Sequence, residues 1–543
     1  MNILITSAAY VEPEMVAEYG KLPPSFLPLG NQRLIHVQIE HLAAAPNDRI
    51  FLSVPQSFAM EPIDETMLAS LGITIIRAPD GLSLGNSVLY CLTHMHADGH
   101  LRILHGDTLL ALDDLSDVTT DCWAISQSAS PYSWGVAFSR QDSIIGTGHQ
   151  QFAQANQLPD DVSTDILIGY FSFSDANSLA NALRYSNGDF LTALARYASE
   201  HKVKPLQCDS WSDFGHLQTF YQARSTYAAT RSFNALSMTG GIIRKSSKQS
   251  TKIASEAYWF TNLPSRLKIY TGRLIDASPT ADGGYQYATE YEYLPTLQDL
   301  YVFGRLDQGA WHHILDSCQD CLEQFAATPC QDAPDTALQL LGATKTYERL
   351  SRFERESGLN LSLPTMLNGQ PLPSPLFIAE KMISLLEECT PRPATIMHGD
   401  FCFSNILYNS RSGRVRLLDP RGTLDGQHMT VGGDIRYDMA KLAHSIVGRY
   451  DLILAGRFTF DMTIGSSLNF DFELPGIAVS DWLEHHLWSM HIGDIPFDTP
   501  ELKALLILLF LSMLPLHADR PDRQRAFLAN TLRLYYYLFE SDL

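Results

Sequence analysis

Asp400, Asn405 and Asp419 are the residues of this 543-residue chain whose types and spacing best suit a chemical reaction. They lie in one stretch. A short apolar strand, Thr395-Ile396-Met397, leads into His398-Gly399-Asp400; Asn405 follows, and a second apolar strand, Val415 to Leu418, delivers Asp419. Two carboxylates and an amide in this order suit phosphoryl transfer. One carboxylate takes the proton of an attacking hydroxyl, while the amide and the other carboxylate hold Mg2+ on nucleotide phosphates. The turn residues Asn409-Ser410-Arg411-Ser412-Gly413 predict a hairpin that returns Asp419 to the cleft holding Asp400. A His-Gly-Asp segment by itself would be an ordinary turn; the amide and the strand-end carboxylate tip the reading toward chemistry.

At these positions the chain resembles the aminoglycoside phosphotransferase/choline kinase family, whose pattern is His-Gly-Asp-x4-Asn followed by an Asp after a strand. The resemblance implies an α+β protein-kinase-like fold, ATP as co-substrate, Asp400 as catalytic base, and Asn405 and Asp419 as Mg2+ ligands. It also implies His398 as the residue bracing the loop. Where protein kinases have Asp-Phe-Gly, this chain has Asp419-Pro420-Arg421.

The elements that must position these residues are legible upstream. Ile242 to Ser246 reads as a strand carrying Lys245, and Ile253 to Asn262 as a helix carrying Glu256. This fold uses such a lysine–glutamate pair to hold the α/β-phosphates; Lys248 and Lys252 are rival anchors. Thr239-Gly240-Gly241 is expected to turn over the phosphates. The segment from Tyr291 through Tyr293 to Leu297 looks like the family's hinge, where backbone groups meet the adenine. Residues 308–390 read as mostly helical. Asp434 and Asp438 open a further helix, where they either touch the acceptor or serve as an N-cap and a structural ion pair.

In the first 225 residues, β-type runs at Met1–Ser7, Ile50–Val54, Ile73–Ile76 and Leu101–Leu104 alternate with helical patterns, Leu34–Ala43 among them. This alternation predicts a βαβ-built, mainly parallel sheet with ligands at the carboxyl ends of its strands. Asp107 follows one such strand. The segments from Pro24 to Ile35, Gly81 to Ser87, Ser133 to Val136, Gly169 to Phe173 and Trp211 to His216 then occur in order. Together they resemble the sugar-phosphate nucleotidyltransferases, a GT-A-type Rossmann-like α/β fold. By that resemblance Asp107 and Asp213 bind Mg2+, and a second NTP (UTP, CTP or GTP) is a substrate. The chain departs from the family at Ser7 to Pro13, where a glycine-rich loop is expected, and at Ser25, where a lysine is expected; Lys21 is a substitute cation. Two readings stay open: an active nucleotidyltransferase, or a domain that binds a nucleotide or sugar phosphate without that reaction.

A net charge of −21 disfavours nucleic acid and anionic membrane as partners. The eight cysteines are scattered, and Cys318 and Cys321 read as sharing a helical face rather than binding zinc. The start lacks a basic n-region, and the apolar run Ala504 to Leu516 is short and contains Pro515, so it reads as a buried helix. A reduced cytoplasmic protein with no membrane span is the expectation. The expected organisation is a nucleotidyltransferase-like domain over 1–228 and a phosphotransferase domain over 229–543, with a small lobe to 300 and a helical lobe beyond. Such a bifunctional kinase and nucleotidyltransferase would phosphorylate a sugar or polyol and join the phosphate to a nucleotide. The product would be an activated donor for surface or capsular polysaccharide biosynthesis or a cell-wall pathway. The alternative is a choline kinase with a cytidylyltransferase and an amino-alcohol substrate, or a kinase carrying a non-catalytic binding domain.

Overall fold

The structure is a computed structural model that describes all residues except 43, 45, 46, 111–119, 128–131, 133, 151–158, 232–234, 249 and 541–543. Ala43 and Ser133, named above, therefore lie outside the described residues. The chain divides into two units, Met1–Tyr227 and Ala228–Leu543.

In the first unit the β-branched runs become four parallel strands in the order Ile73–Ala78, Arg49–Pro55, Asn2–Thr6, Leu101–His105. The central two are buried almost throughout, as expected of parallel strands covered on both faces. The sheet is mixed, however, rather than mainly parallel. Ser163–Phe173 pairs antiparallel with Leu101–His105 and with Gly135–Arg140, which in turn pairs with Ser143–His149. Glycines and serines dilute the apolar pattern of these added strands, and their long-range pairing carries no local signal. The order reverses between Asn2–Thr6 and Leu101–His105, so the loops after Thr6 and His105 flank a switch point where ligands of such sheets bind. A bond from the Gly106 N–H to the Thr6 carbonyl (2.8 Å) ties the two loops together.

In the second unit, Ala235–Thr239, Ile242–Ser247, Tyr285–Glu290 and Leu274–Pro279 form a four-stranded antiparallel sheet in that order. The helix Ser250–Asn262 packs on it. The rest is mainly helical. Leu297–Val302 opens with a capping box made by Thr296 and Asp299. Cys318 and Cys321 lie buried on one helix, Gln308–Ala326. The expected helical stretch 308–390 is interrupted by the hairpin Thr365–Leu367/Gln370–Leu372, which joins Leu468–Glu473 and Thr459–Ile464 in a second four-stranded sheet. Two- and three-residue pairings of this kind lie below what periodicity can resolve. By composition, Pro500–His517 is long and apolar enough to cross a membrane, but 72% of it is buried inside the protein. Its helix, Pro500–Met513, packs against Pro375–Glu388, Ile435–Ile446 and Pro521–Tyr535 as the core of the lobe.

Asp451, in the short helix Tyr450–Leu454, is fully buried and neither carboxylate oxygen has a hydrogen-bond partner of good geometry, although the Ser445 hydroxyl stands nearby. Burial pushes this carboxyl up to about 7. The folded state thus binds the extra proton between about pH 4 and 7, and the residue's contribution to stability is lost as pH rises through that window. Asp451→Asn is uncharged at every pH. It is expected to gain up to about 4 kcal/mol on the wild type between pH 4 and 8 in urea unfolding. A difference between the two proteins that does not change with pH would contradict the assignment.

Candidate active site

The strand Thr395–Ile396 pairs with Gly432–Gly433 and leads into the loop that carries Asp400. Its backbone is fully specified. The Met397 carbonyl accepts from the Trp259 indole (2.8 Å), and the His398 and Gly399 N–H groups donate to the two oxygens of Asp438 (2.6 and 2.7 Å). Gly399 has φ +79°, and a Cβ there would meet the Arg421 side chain at 2.6 Å, so only glycine fits. Asp438 thus braces the loop, and burial raises its carboxyl to about 7 against the pull of those two N–H bonds. His398 is also wholly buried. Its ring accepts the Asp400 N–H at 3.3 Å and stands edge-on to Trp259, and burial pushes its pKa down to about 4. It is a neutral strut with no face on the cleft.

Asp400 Oδ1 meets Lys441 Nζ at 2.8 Å, and Asp400 Oδ2 accepts from Asn405 Nδ2, also at 2.8 Å. Burial alone would raise this carboxyl, but the charge and hydrogen bond of Lys441, with Arg421 adding to them, hold it well below the ordinary carboxylate range. Lys441 is the residue that sequence reasoning missed. It lies one turn beyond Asp438 on Ile435–Ile446, and that i, i+3 spacing was the available signal. The same amide nitrogen of Asn405 reaches the Asp400 carbonyl (3.1 Å), so its Oδ1 is the atom left for a cation.

The hairpin Ile406–Asn409/Arg414–Leu417 brings the chain back, and the Leu418 N–H donates to the Asn405 carbonyl (2.9 Å). Asp419 follows with φ +52°, a left-handed conformation that is costly for a residue other than glycine and that recurs at functional sites. Its carboxylate is 53% exposed and lies 3.1 Å from Lys245 Nζ, which also holds Glu256 Oε2 at 2.7 Å. The Tyr287 hydroxyl donates to the same glutamate oxygen (2.9 Å). Burial would lower the Lys245 pKa, but Asp419 and Glu256 outweigh it and raise the pKa overall. Lys248 and Lys252 are exposed on the sheet's surroundings, which leaves Lys245 as the buried cation of the group. Five of the expected residues, Lys245, Glu256, Asp400, Asn405 and Asp419, therefore form two adjoining clusters. Asn405 Oδ1 and the half-exposed Asp419 carboxylate are oxygen donors, of the kind that suits a hard divalent cation.

Two expectations are narrowed. The Gly240-Gly241 turn lies beside Tyr291, at the start of the lysine strand. It joins Ala235–Thr239 to the lysine strand at the hinge end, where the Gly241 carbonyl accepts the Tyr291 N–H (2.8 Å) and a Cβ at Gly241 would meet the Tyr293 hydroxyl at 3.9 Å. The antiparallel register decides this, because the strand runs away from the turn before reaching Lys245. Tyr293 itself is 43% exposed and meets the Tyr291 ring edge to face. Asp434 and Asp438 are both committed to structure: Asp434 caps Ile435–Ile446 and holds the Arg436 guanidinium at 2.7 Å.

In the first unit, Asp107 and Asp213 come together across the adjoining strands Thr108–Leu110 and Trp211–Asp213. A Cβ on Gly215 would lie 2.7 Å from Asp107 Oδ2 and 3.2 Å from Asp213 Oδ1, so a glycine is required between the carboxylates. Burial, then the neighbouring Asp213, raises the Asp107 carboxyl to about 6. The two acids line a cavity of about 230 Å³ with Thr108, Trp134, Gly169 and His216. Asp213 is heavily engaged. Its Oδ1 accepts the Gly215 N–H (3.0 Å), and its Oδ2 takes His216 (2.8 Å) and the Thr219 hydroxyl. Only Oδ1 keeps a lone pair for a cation. His216, whose pKa is raised by its bond to Asp213, stacks on Tyr132 with ring centroids 3.9 Å apart. Ser25, at the position of the expected lysine, is fully buried with its hydroxyl donating to the Gly106 carbonyl (3.2 Å), and Lys21 Nζ lies over the Tyr10 ring at 4.1 Å.

Solved structures resemble parts of this chain. A UTP-bound UGPase from Acinetobacter baumannii is 14% identical and matches 43% of this chain and 94% of its own, with a TM-score of 0.34. The inositol-1-phosphate CTP transferase from T. maritima is 14% identical over 42% of this chain and 96% of its own, with a TM-score of 0.32. A thermostable mutant of the aminoglycoside phosphotransferase APH(4)-Ia is 12% identical over 56% of this chain and 90% of its own, with a TM-score of 0.36. Structural neighbours thus include sugar nucleotidyltransferases and an aminoglycoside phosphotransferase, the two families named from the sequence. No protein-family model and no curated protein matches the chain. At these TM-scores the likeness carries no weight for function, which has to be read from the side chains.

Proposed function

We propose that the second unit is an ATP-dependent kinase of a small hydroxyl-bearing molecule, a sugar or polyol, and that the first unit is a nucleotidyltransferase-like domain acting on the phosphate so formed. The observation that carries the kinase reading is the pair of adjoining clusters, Lys245–Glu256–Asp419 and Asp400–Asn405–Lys441. Asp400 orients the acceptor hydroxyl and receives its proton as the oxygen bonds to the γ-phosphorus and ADP departs. Lys441 keeps that carboxylate ionised. Lys245, fixed by Glu256, is placed to meet the nucleotide phosphates, and the Tyr291–Leu294 hinge to meet the base. Mg2+, held by Asn405 and Asp419, would neutralise phosphate charge. A choline or aminoglycoside acceptor fits less well, because Asp434 and Asp438, the acids nearest the loop on the following helix, are spent on Arg436 and on backbone N–H groups.

For the first unit the Asp107/Asp213 pair at the switch point supports a metal-dependent nucleotidyl transfer. A non-catalytic binding role is the second reading. It is favoured by Ser25, which puts a buried hydroxyl where a phosphate-facing lysine is expected, and by the three donors already on Asp213. The fusion of the two units suggests synthesis of an activated sugar or polyol donor for a polysaccharide or cell-wall pathway.

The test is an acceptor screen with ATP and Mg2+, following ADP release and product mass, with each positive rerun in UTP, CTP and GTP to detect pyrophosphate. For the first unit, Asp107→Asn is expected to lower pyrophosphate formation by about 100-fold or more while ADP release continues. ADP release without pyrophosphate from any NTP would leave the binding role. No phosphorylation of any acceptor would remove the kinase reading.

A further inference from the structure

The cations around the candidate kinase site are not all matched by acids. Lys245, Lys441 and Arg436 each hold a carboxylate within 3.1 Å. Lys345, Arg349 and Arg421 do not. Arg421 is moored beside the loop: its Nε donates to the Gly399 carbonyl (3.1 Å) and a terminal nitrogen to the Tyr437 hydroxyl (3.1 Å). Its guanidinium lies over the Tyr437 ring at 5.2 Å, and its charge reaches Asp400. Lys345 and Arg349 lie one turn apart on the helix Lys345–Ser357, so they share a face. Lys345 Nζ donates to the Leu424 carbonyl (2.6 Å), three residues beyond Arg421, and Arg349 to the Ser512 carbonyl (3.0 Å).

Among the described residues no carboxylate comes within ion-pair distance of any of the three. Asp425 and then Glu348 are the acids whose charge acts on Lys345, and Asp425 is occupied by His428 (2.6 Å) and by backbone N–H groups. The crowding is felt by the cations themselves. Burial, then Arg421 and Arg349, pushes the Lys345 pKa down to about 6, and burial and Arg421 lower that of Arg349 as well. Half-buried like charges held together without an acid are unfavourable until an anion joins them. Two guanidiniums and a lysine that an arriving anion would keep protonated are also the donor set that recognises planar or tetrahedral oxyanions.

We propose that the acceptor carries an anionic oxyacid group, a phosphate or a carboxylate, held by Lys345, Arg349 and Arg421 beside the hydroxyl that Asp400 activates. This rests on the kinase reading for the second unit and deepens it by naming the acceptor's charge. The group is a handle: it is not transferred, and it fixes which hydroxyl faces Asp400.

The full-length protein with ATP and Mg2+ would be given matched acceptor sets: glycerol, glycerate and glycerol 3-phosphate, and glucose, glucuronate and glucose 6-phosphate. Within at least one set the anionic member should exceed its neutral partner about 100-fold or more in kcat/KM, because a site built for a charged group is left unpaired without it. Whether the carboxylate or the phosphate member wins identifies the oxyanion. R349Q and K345M should each cut that preference at least about tenfold, mainly through KM, since each removes a charge-assisted bond. A neutral acceptor used as well as its anionic partners, with R349Q slowing all members alike, would overturn the proposal. A second readout needs no turnover. With the nucleotide site filled by a non-hydrolysable ATP analogue and Mg2+, calorimetric titration should detect inorganic phosphate binding that is lost in the K345M/R349Q double variant. Absence of phosphate binding to the wild type would reject the anion site. Failure of every acceptor together with retained phosphate binding would reject the kinase reading instead.

Discussion

Asp400→Asn is expected to lower ADP release with a competent acceptor about 1,000- to 10,000-fold, the upper range of what a positioned general base contributes. The amide keeps the shape but cannot take the proton. The variant should also lose stability, because it leaves the Lys441 ammonium (side chain 11% exposed) without its carboxylate. Asp400 is partly open to solvent, so that loss is discounted to about 1–2 kcal/mol. Lys441→Met added to Asp400→Asn should recover stability but not activity. This separates the chemical role of the pair from its structural one. In Lys441→Met alone, Asp400 loses the charge and bond that hold it down and burial takes over, so its pKa rises. The protonated carboxyl is inactive, so activity should gain an acid limb that the wild type lacks, falling as pH drops through the raised value. A pH–rate profile with the same acid limb in both proteins would refute the role given to Lys441.

The second large effect is expected at Asp438. Its carboxylate receives the His398 and Gly399 N–H groups and has no exposure to solvent. Asp438→Ala would strand two buried N–H donors at about 1–3 kcal/mol each, and would free the loop that aims Asp400. We expect a loss of about 3 kcal/mol in urea unfolding and a fall in kcat of about 100-fold, since misplacement by an ångström has that cost. Asp438→Asn retains one acceptor oxygen and should lie between alanine and wild type in both measurements. Alanine with wild-type kcat would show that the loop holds its shape without the brace.

How much of this was legible in the sequence follows from where each signal lies. The residues from His398 to Asp419 are close in the chain, and their hairpin has its own turn chemistry, so the placement of Asp400, Asn405 and Asp419 in one region followed from local spacing. Lys245 and Glu256 are 11 residues apart and join through a strand and the helix that follows it, again a short-range relation. Lys441 and Asp400 are not; the one local signal, the spacing of Lys441 from Asp438, points to the loop only once Asp438 is known to brace it. The orientation of the Gly240-Gly241 turn depends on the pairing of Ile242–Ser247 with Tyr285–Glu290, a register that no window around the glycines contains. The antiparallel strands of the first unit were missed for the same reason. In Asp213 the expected residue is present, but His216 and Thr219 have already claimed much of its bonding capacity, which only the folded arrangement reveals.

The turn after Thr239 bears on how the two ends of the lysine strand move. The Gly241 carbonyl accepts the Tyr291 N–H (2.8 Å), and Ile242–Ser247 pairs residue by residue with Tyr285–Glu290. Lys245 and the segment that leaves the sheet at Tyr291 therefore share one frame. On the proposed reading, the group that meets the phosphates and the group that meets the base would shift together, and a substitution at either end would be felt at the other.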